Sequence, residues 1–265
     1  MTAAAGTASP ADRFIDLARR LAEAARPIAR RYFRADEAAL QFKANGTPVT
    51  AADLEIEAAI RAILGTEVPD HGIYGEEEGA VRTDAEFVWV IDPIDGTKSF
   101  ATGKPLWGVL IALAHRGRPV LGIIDQPHLD ERWLGIDGRQ TTFNGKPAKV
   151  RSCADLKDAW LYTTTPDMFQ GADRDAFDTL KAGSRHCIYG ADCYAYGLVA
   201  SGYTDLVAEA NLKPYDYCAL VPVIAGAGGV ISDWQGKPLT IASGSRTLAA
   251  GDARIHKAAL AALAG

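Results

Sequence analysis

The sequence predicts a mixed protein, α+β in its first half and α/β in its second. Three observations carry this expectation. Two amphipathic helical patterns precede residue 66, apolar runs broken by turn residues fill 106–136, and strands alternate with helices from about Ser152. A chain of 265 residues, 48% hydrophobic and 23% charged, is long enough to bury a substantial core as one large domain or two lobes. No repeat or flexible linker interrupts it. The lobes 10–151 and 152–265 are therefore expected to share an interface as one structural unit, behind a floppy tail at residues 1–9.

Ser9-Pro10 followed by Asp12 reads as a helix start. Phe14, Leu17, Leu21 and Ile28 then share a face, giving an amphipathic helix to about Arg34 despite Pro27. Its arginines (Arg19, Arg20, Arg26, Arg30, Arg31) read as a solvated face rather than an anion-binding one. Leu40–Lys43 is expected as a short strand closed by Asn45-Gly46-Thr47-Pro48. Thr50 caps a second helix with Asp53 at its third position and Ile56, Ile60 and Ile63 facing inward, and Gly65 is expected to end it.

The next stretch organises the chain. Phe87 to Ile91 is apolar and stops abruptly at Asp92-Pro93-Ile94-Asp95-Gly96-Thr97, the pattern of a buried strand opening into a tight loop. That loop offers two carboxylates three residues apart, amides freed by a glycine, and a hydroxyl. Glu76, Glu77 and Glu78 precede the strand. Carboxylates that converge repel one another unless a cation sits among them. All-oxygen ligands select magnesium or manganese over zinc. The other reading makes Asp-Pro and Asp-Gly turn formers and the glutamates a solvated run. Either half alone fits that reading; the two together favour a metal site.

Leu106–His115 and Pro119–Asp125 flank Arg116-Gly117-Arg118 as an antiparallel hairpin, Arg132–Ile136 continues the sheet, and Asp137-Gly138 and Asn144-Gly145 mark turns. Beyond Ser152, strands are expected at Ala159–Thr163, Thr204–Ala208, Val230–Ser232 and Thr247–Ala250. Helices are expected at Arg174–Lys181, Cys193–Ala200, Asp216–Ala227 and the C-terminus. Cys153, Cys187, Cys193 and Cys218 form no CxxC pair, so neither a zinc site nor a disulfide framework is indicated and a reducing cytoplasm is expected. The start lacks a signal peptide's apolar core, and no apolar run reaches the ~20 residues of a membrane span. A net charge of −5 argues against nucleic acid as the main partner.

Gly75-Glu76-Glu77, Asp92 to Thr97, Pro214-Tyr215-Asp216 and the closing Gly226-Ala227-Gly228-Gly229, in that order, resemble the inositol monophosphatase family. The resemblance implies a magnesium-dependent phosphatase, a layered αβαβα sandwich and a homodimer. A finer resemblance, to the histidinol-phosphate phosphatase branch, rests on Tyr162 to Phe169, Tyr189 to Tyr196, Leu212 to Asp216 and the lysine after Thr97. Tyr215 stands where the wider family has tryptophan, and tyrosine is usual in that branch. Asn211 replaces a glycine common there.

The resemblance implies that Glu76, Asp92, the Ile94 carbonyl, Asp95 and Asp216 hold two or three magnesium ions. Asp95, Gly96 and Thr97 would meet the phosphate, with Thr97 and Asp53 orienting and deprotonating the attacking water and Glu77 assisting from behind. Asp192 and Glu209, with Asp216, would surround the leaving alcohol, two acids suited to the cationic L-histidinol. Arg185 would contact the phosphate side or pair with these acids, and Lys43 would lie near the metals or on the surface. Each has a plainer alternative: Asp53, Asp192 and Asp216 can be helix caps, and Gly226 to Gly229 reads as a helix stop. An aspartyl-phosphate mechanism fails because Pro93 stands two residues before Asp95, where its nucleophile belongs. A non-catalytic binding protein on this fold would have lost a ligand or the Asp53/Thr97 pair, and neither is lost.

Overall fold

A computed structural model of the chain describes residues 10–35, 41–42 and 48–265. Expectations for residues 1–9, including the Ser9 cap, and for Leu40, Lys43 and Asn45 to Thr47 lie outside the described residues. The helices are α1 (Ile15–Tyr32), α2 (Ala51–Glu67), α3 (Thr97–Ala101), α4 (Ala172–Gly183), α5 (Cys193–Ala200), α6 (Pro214–Tyr217), α7 (Leu220–Gly226) and α8 (Ala253–Ala264). A short ribbon, β1 (Gln41–Phe42) with β2 (Pro48–Val49), precedes two sheets. The first comprises β3 (Gly72–Gly75), β4 (Ala80–Val81), β5 (Phe87–Asp95), β6 (Gly108–His115), β7 (Arg118–Gln126), β8 (Glu131–Ile136), β9 (Thr142–Phe143) and β10 (Lys146–Pro147). Their order is β10-β9-β8-β7-β6-β5-β3-β4, antiparallel throughout except for β3 beside β5. The second comprises β11 (Trp160–Thr163), β12 (His186–Tyr189), β13 (Leu206–Glu209), β14 (Val230–Ser232) and β15 (Thr247–Ala250), ordered β12-β11-β13-β15-β14 with β12, β11 and β13 parallel.

Side-chain alternation along β5 explains the layering. Trp89 and Ile91 face one way, into a core with Leu17, Leu21 and Ala25 of α1 and Ile56 and Ile60 of α2. Val88 and Val90 face the other way, where Ala195 and Val199 of α5 and Leu220 and Val223 of α7 form a second core that also reaches Val207 and Ala249 of the other sheet. A third core joins the far face of that sheet, through Leu161, Leu206 and Leu248, to Phe177 of α4 and Ile255 of α8. The order helix, sheet, helix, sheet, helix is the expected αβαβα sandwich. Among the described residues, no helix is long and apolar enough to cross a membrane.

Several local expectations need correction. Gly65 does not stop α2, which runs on to Glu67 and closes where the Val68 amide bonds the Leu64 carbonyl. The single helix expected at 216–227 is two, because Pro222 has no N–H to give the Cys218 carbonyl and crowds it instead. The strands β3 and β12, four residues each, carry too little apolar alternation to stand out. The α1 arginines do form the expected solvated face, Arg19, Arg20, Arg30 and Arg31 being exposed; ion pairs join Arg20 to Glu67, Arg26 to Asp125 and Asp130, Arg30 to Asp130 and Arg31 to Glu55.

Candidate active site

The parallel strands of both sheets end at one cleft of about 220 Å³. Glu76 follows β3, Asp92 to Thr97 close β5 and turn into α3, and Thr164 follows β11. Asp192 enters after β12 and Asp216 after β13. Ligands commonly gather at such carboxyl ends, where loops rather than neighbouring strands surround the chain.

A bulge in β5 makes the two aspartates usable together. Residues three apart on a regular strand point to opposite faces. Here Asp92 pairs with Leu110 but Asp95 with Gly108, so the strand gains a residue at Pro93-Ile94. Proline suits that position because it owes the ladder no N–H. The bulge turns both carboxylates toward the middle helical layer, and one oxygen each from Asp92, Asp95 and Asp216 lies within 4.8 Å of the others. Gly96 then takes φ +87°, and a side chain there would press on the Asp192 carboxylate at 3.0 Å. Thr97 opens α3, and its hydroxyl donates to the Ile94 carbonyl at 3.1 Å.

Asp53 and Asp216 each do two things. The Thr50 amide and hydroxyl donate to Asp53 Oδ2 at 2.8 and 2.6 Å, and the Lys213 amide donates to Asp216 Oδ2 at 2.6 Å. Each acid thus caps its helix with one oxygen. The buried Asp53 Oδ1 and Asp92 Oδ1 have no hydrogen-bond partner among the described residues. Thr97 and Asp53 are not hydrogen-bonded to each other: the first is turned to Ile94, the second to Thr50.

Burial, with repulsion among these acids, raises Asp92 and Asp95 well above the ordinary carboxylate range. Burial pushes Asp216 up to about 7 and Asp53 to about 6, against the hydrogen bonds that pull each back. Orphaned buried oxygens in a self-repelling, all-oxygen donor set fit a hard divalent cation. Carboxylates with raised pKa bind protons more tightly in the folded chain than in the unfolded one. Their contribution to stability is therefore full near pH 4 and lost as pH rises through about 6–7. The metal-free protein is expected to lose several degrees of Tm between about pH 5 and pH 8, and millimolar magnesium to restore more at pH 8 than at pH 5. Thermal scans showing an equal magnesium effect at both pH values would contradict this.

On the opposite wall, Asp192 occupies the N-cap position of α5, yet its side chain accepts no helix N–H. The first α5 amide, Cys193 N–H, donates to Asp95 Oδ2 at 2.5 Å instead, while Asp192 Oδ2 accepts from the Ser99 hydroxyl at 3.1 Å. The cap reading of Asp192 is thereby replaced. Burial raises the Asp192 pKa, while the Ser99 hydrogen bond and the Lys104 and Lys98 charges lower it. Glu209 lies behind this wall. Thr164 N–H and Oγ1 donate to its Oε1 at 2.9 and 2.6 Å, and the Tyr196 hydroxyl to its Oε2 at 2.9 Å. Burial holds Glu209 up at about 7, against those bonds.

Not every sequence candidate arrives. Arg185 is exposed and paired with Asp158 at 3.2 Å. It sits before β12 rather than after it, so a full strand separates it from the cleft, and both expectations for it are corrected. Glu77 is half-buried and outside the cleft lining. Residues not singled out from the sequence are Ser99 and Thr164, which brace the two substrate-side acids, and Glu57. The buried Glu57 stands four residues after Asp53 on the apolar face of α2, and that spacing of acids among Ile56 and Ile60 was the available signal.

Residues 11–265 match the sequence model of the inositol monophosphatase family. The chain belongs to that family. It is 48% identical over 261 residues to the bifunctional phosphatase IMPL2, chloroplastic, of Arabidopsis thaliana, covering 95% of this chain and 75% of that one. It is 34% identical over 224 residues to a histidinol-phosphatase of Chlorobaculum parvum, covering 84% and 86%. Among solved structures, an inositol monophosphatase from Zymomonas mobilis superposes with a TM-score of 0.89 at 46% identity, over 97% of this chain and 100% of that one. This family member is a phosphatase, and the acids at its cleft suit the metal dependence general in the family.

Proposed function

We propose that the chain is a magnesium-dependent histidinol-phosphatase, hydrolysing L-histidinol phosphate to L-histidinol and phosphate as a step in histidine biosynthesis. The observation that carries the substrate is Asp192: a half-buried carboxylate on the cleft wall, at a helix start but capping nothing. Glu209 adds a second acid behind Thr164, and the Chlorobaculum relative bears the corresponding name. Charge-assisted hydrogen bonds to an ammonium or imidazolium are worth ~1.5–3 kcal/mol, roughly tenfold or more in preference. The fold allows chemistry at phosphorus common to the family, so selection falls to these groups around the leaving alcohol.

Asp92, Asp95, Asp216, Glu76 and the Ile94 carbonyl would hold two or three ions. Bound divalent cations supply Lewis acidity and lower the pKa of water. The protein's own part is orientation and proton handling. Asp53 Oδ1 would accept the proton of the attacking water, Gly96 and Thr97 amides would donate to phosphate oxygens, and Asp192 with Ser99 and Thr164 would seat the departing alcohol. The unpaired cysteines agree with a cytoplasmic setting, and a homodimer follows from the family resemblance.

Phosphate release from L-histidinol phosphate, inositol 1-phosphate, fructose 1,6-bisphosphate and phosphoadenosine phosphate tests the reading; the first should give the highest kcat/KM. Asp192→Ala should lose it selectively, by tenfold or more, while hydrolysis of a simple aryl phosphate survives. A second reading, inositol monophosphatase, is favoured by the Zymomonas structure's name at 46% identity. A higher kcat/KM for inositol 1-phosphate in the unmodified enzyme would decide for it.

A further inference from the structure

We propose that Glu57 and Arg61 of α2 form a clamp that presets the loop carrying Glu76, so that this acid stands at the cleft before any ion arrives. The proposal rests on the reading of the cleft as a metal site. After β3 ends at Gly75, residues 76–78 make the bend of the β3–β4 hairpin, and its first amide, Glu76 N–H, donates to the Ile91 carbonyl of β5 at 3.2 Å. Two successive amides of that bend, Glu77 N–H and Glu78 N–H, donate to Glu57 Oε2 and Oε1 at 2.8 and 3.0 Å. Glu57 is fully buried, and Arg61 Nε donates to its Oε1 at 2.8 Å, balancing the charge. The Arg61 guanidinium also donates to the Gly79 carbonyl and stands 3.5 Å from Glu78 Oε2. One carboxylate and one guanidinium thus grip both ends of the bend.

Gly75 records how close this grip is. A Cβ there would overlap the Glu57 carboxylate and the Arg61 guanidinium, so any residue larger than glycine would push both side chains out of this grip. The need for a clamp follows from the electrostatics of the site. Glu76 lines the same small cleft as Asp92, Asp95 and Asp216, four carboxylates facing one space. A short loop bearing that charge is drawn away from them by repulsion, and the grip from behind adds to the Ile91 hydrogen bond in resisting it. Glu57 does not line the cleft, so it is a positioning residue: it acts on an ion only through the loop. Ordering the loop in advance removes a cost that ion binding would otherwise bear.

The test is manganese chloride titrated calorimetrically into the substrate-free protein, with hydrogen exchange at residues 76–79 followed in parallel. Glu57→Gln keeps the side chain's shape but surrenders one acceptor and the ion pair. It should weaken manganese binding by about 10–100-fold and speed exchange at the Glu77 and Glu78 amides. Arg61→Lys keeps a compensating charge while loosening the fork, and should shift both readouts in the same direction by less, which covers the case in which Glu57→Gln does not fold. Asp92→Asn is the control for the site itself. If it binds manganese as tightly as the unmodified protein, the site reading falls and the clamp with it. If Asp92→Asn loses binding but Glu57→Gln and Arg61→Lys retain full affinity, the clamp alone falls.

Discussion

Asp92→Asn is expected to lower magnesium-dependent turnover on the order of 10³-fold or more while the protein remains folded. The substitution keeps the shape of the side chain and removes one charge from the most crowded point of the site. Asp92 is the acid whose ionisation is opposed at once by burial and by Glu76, Asp95, Asp216 and Asp53. Its Oδ1 has no hydrogen-bond partner among the described residues, so losing that oxygen's charge breaks no hydrogen bond with them. Metal-free stability should hold or rise, because the repulsion it contributed is gone. Circular dichroism and thermal melting establish the fold, and phosphate release with and without magnesium gives the loss. A folded variant keeping a substantial fraction of magnesium-dependent turnover would remove Asp92 from the metal site, as would activity with zinc alone.

Asp53→Asn should lower kcat by ~10²–10⁴-fold with little change in KM, the range typical of a lost general base. Asparagine keeps an oxygen to accept from Thr50, so α2 should stay capped. What it loses is a basic Oδ1 whose carboxylate, held at about 6 by burial, lies near working pH. Thr97→Val should act through a different atom, since its hydroxyl bonds the Ile94 carbonyl rather than Asp53. Full steady-state curves for both variants separate the alternatives. A raised KM with normal kcat would mean that these residues shape the pocket and leave the water alone.

The buried run Phe87 to Ile91, its stop at Asp92-Pro93, the turn at Asp95-Gly96 and the acids around Glu76 were all legible in the sequence, because each is a local pattern of polarity and backbone preference. Order and spacing of those motifs also sufficed for the family, and hence for the αβαβα layering. The roles of individual acids were not legible. A cap and a ligand share one signature, an acid at a helix start: at Asp216 a capping oxygen belongs to the same carboxylate that lines the cleft, and at Asp53 to one whose charge is felt at Asp92. At Asp192 the same signature misleads, since Asp95 takes the α5 amide from a strand far away in sequence.

Arg185 and Glu57 err in opposite directions. The first is near the motif in sequence and a strand's length from the cleft; the second is far from Glu76 in sequence and bonded to the amides that follow it. Sequence alone determined which chemical groups this protein owns and which local turns present them. Only the tertiary structure decided which oxygen of each group is already spent and which is left over. That division depends on packing between elements remote in the chain, where a shift of an ångström makes or breaks a hydrogen bond.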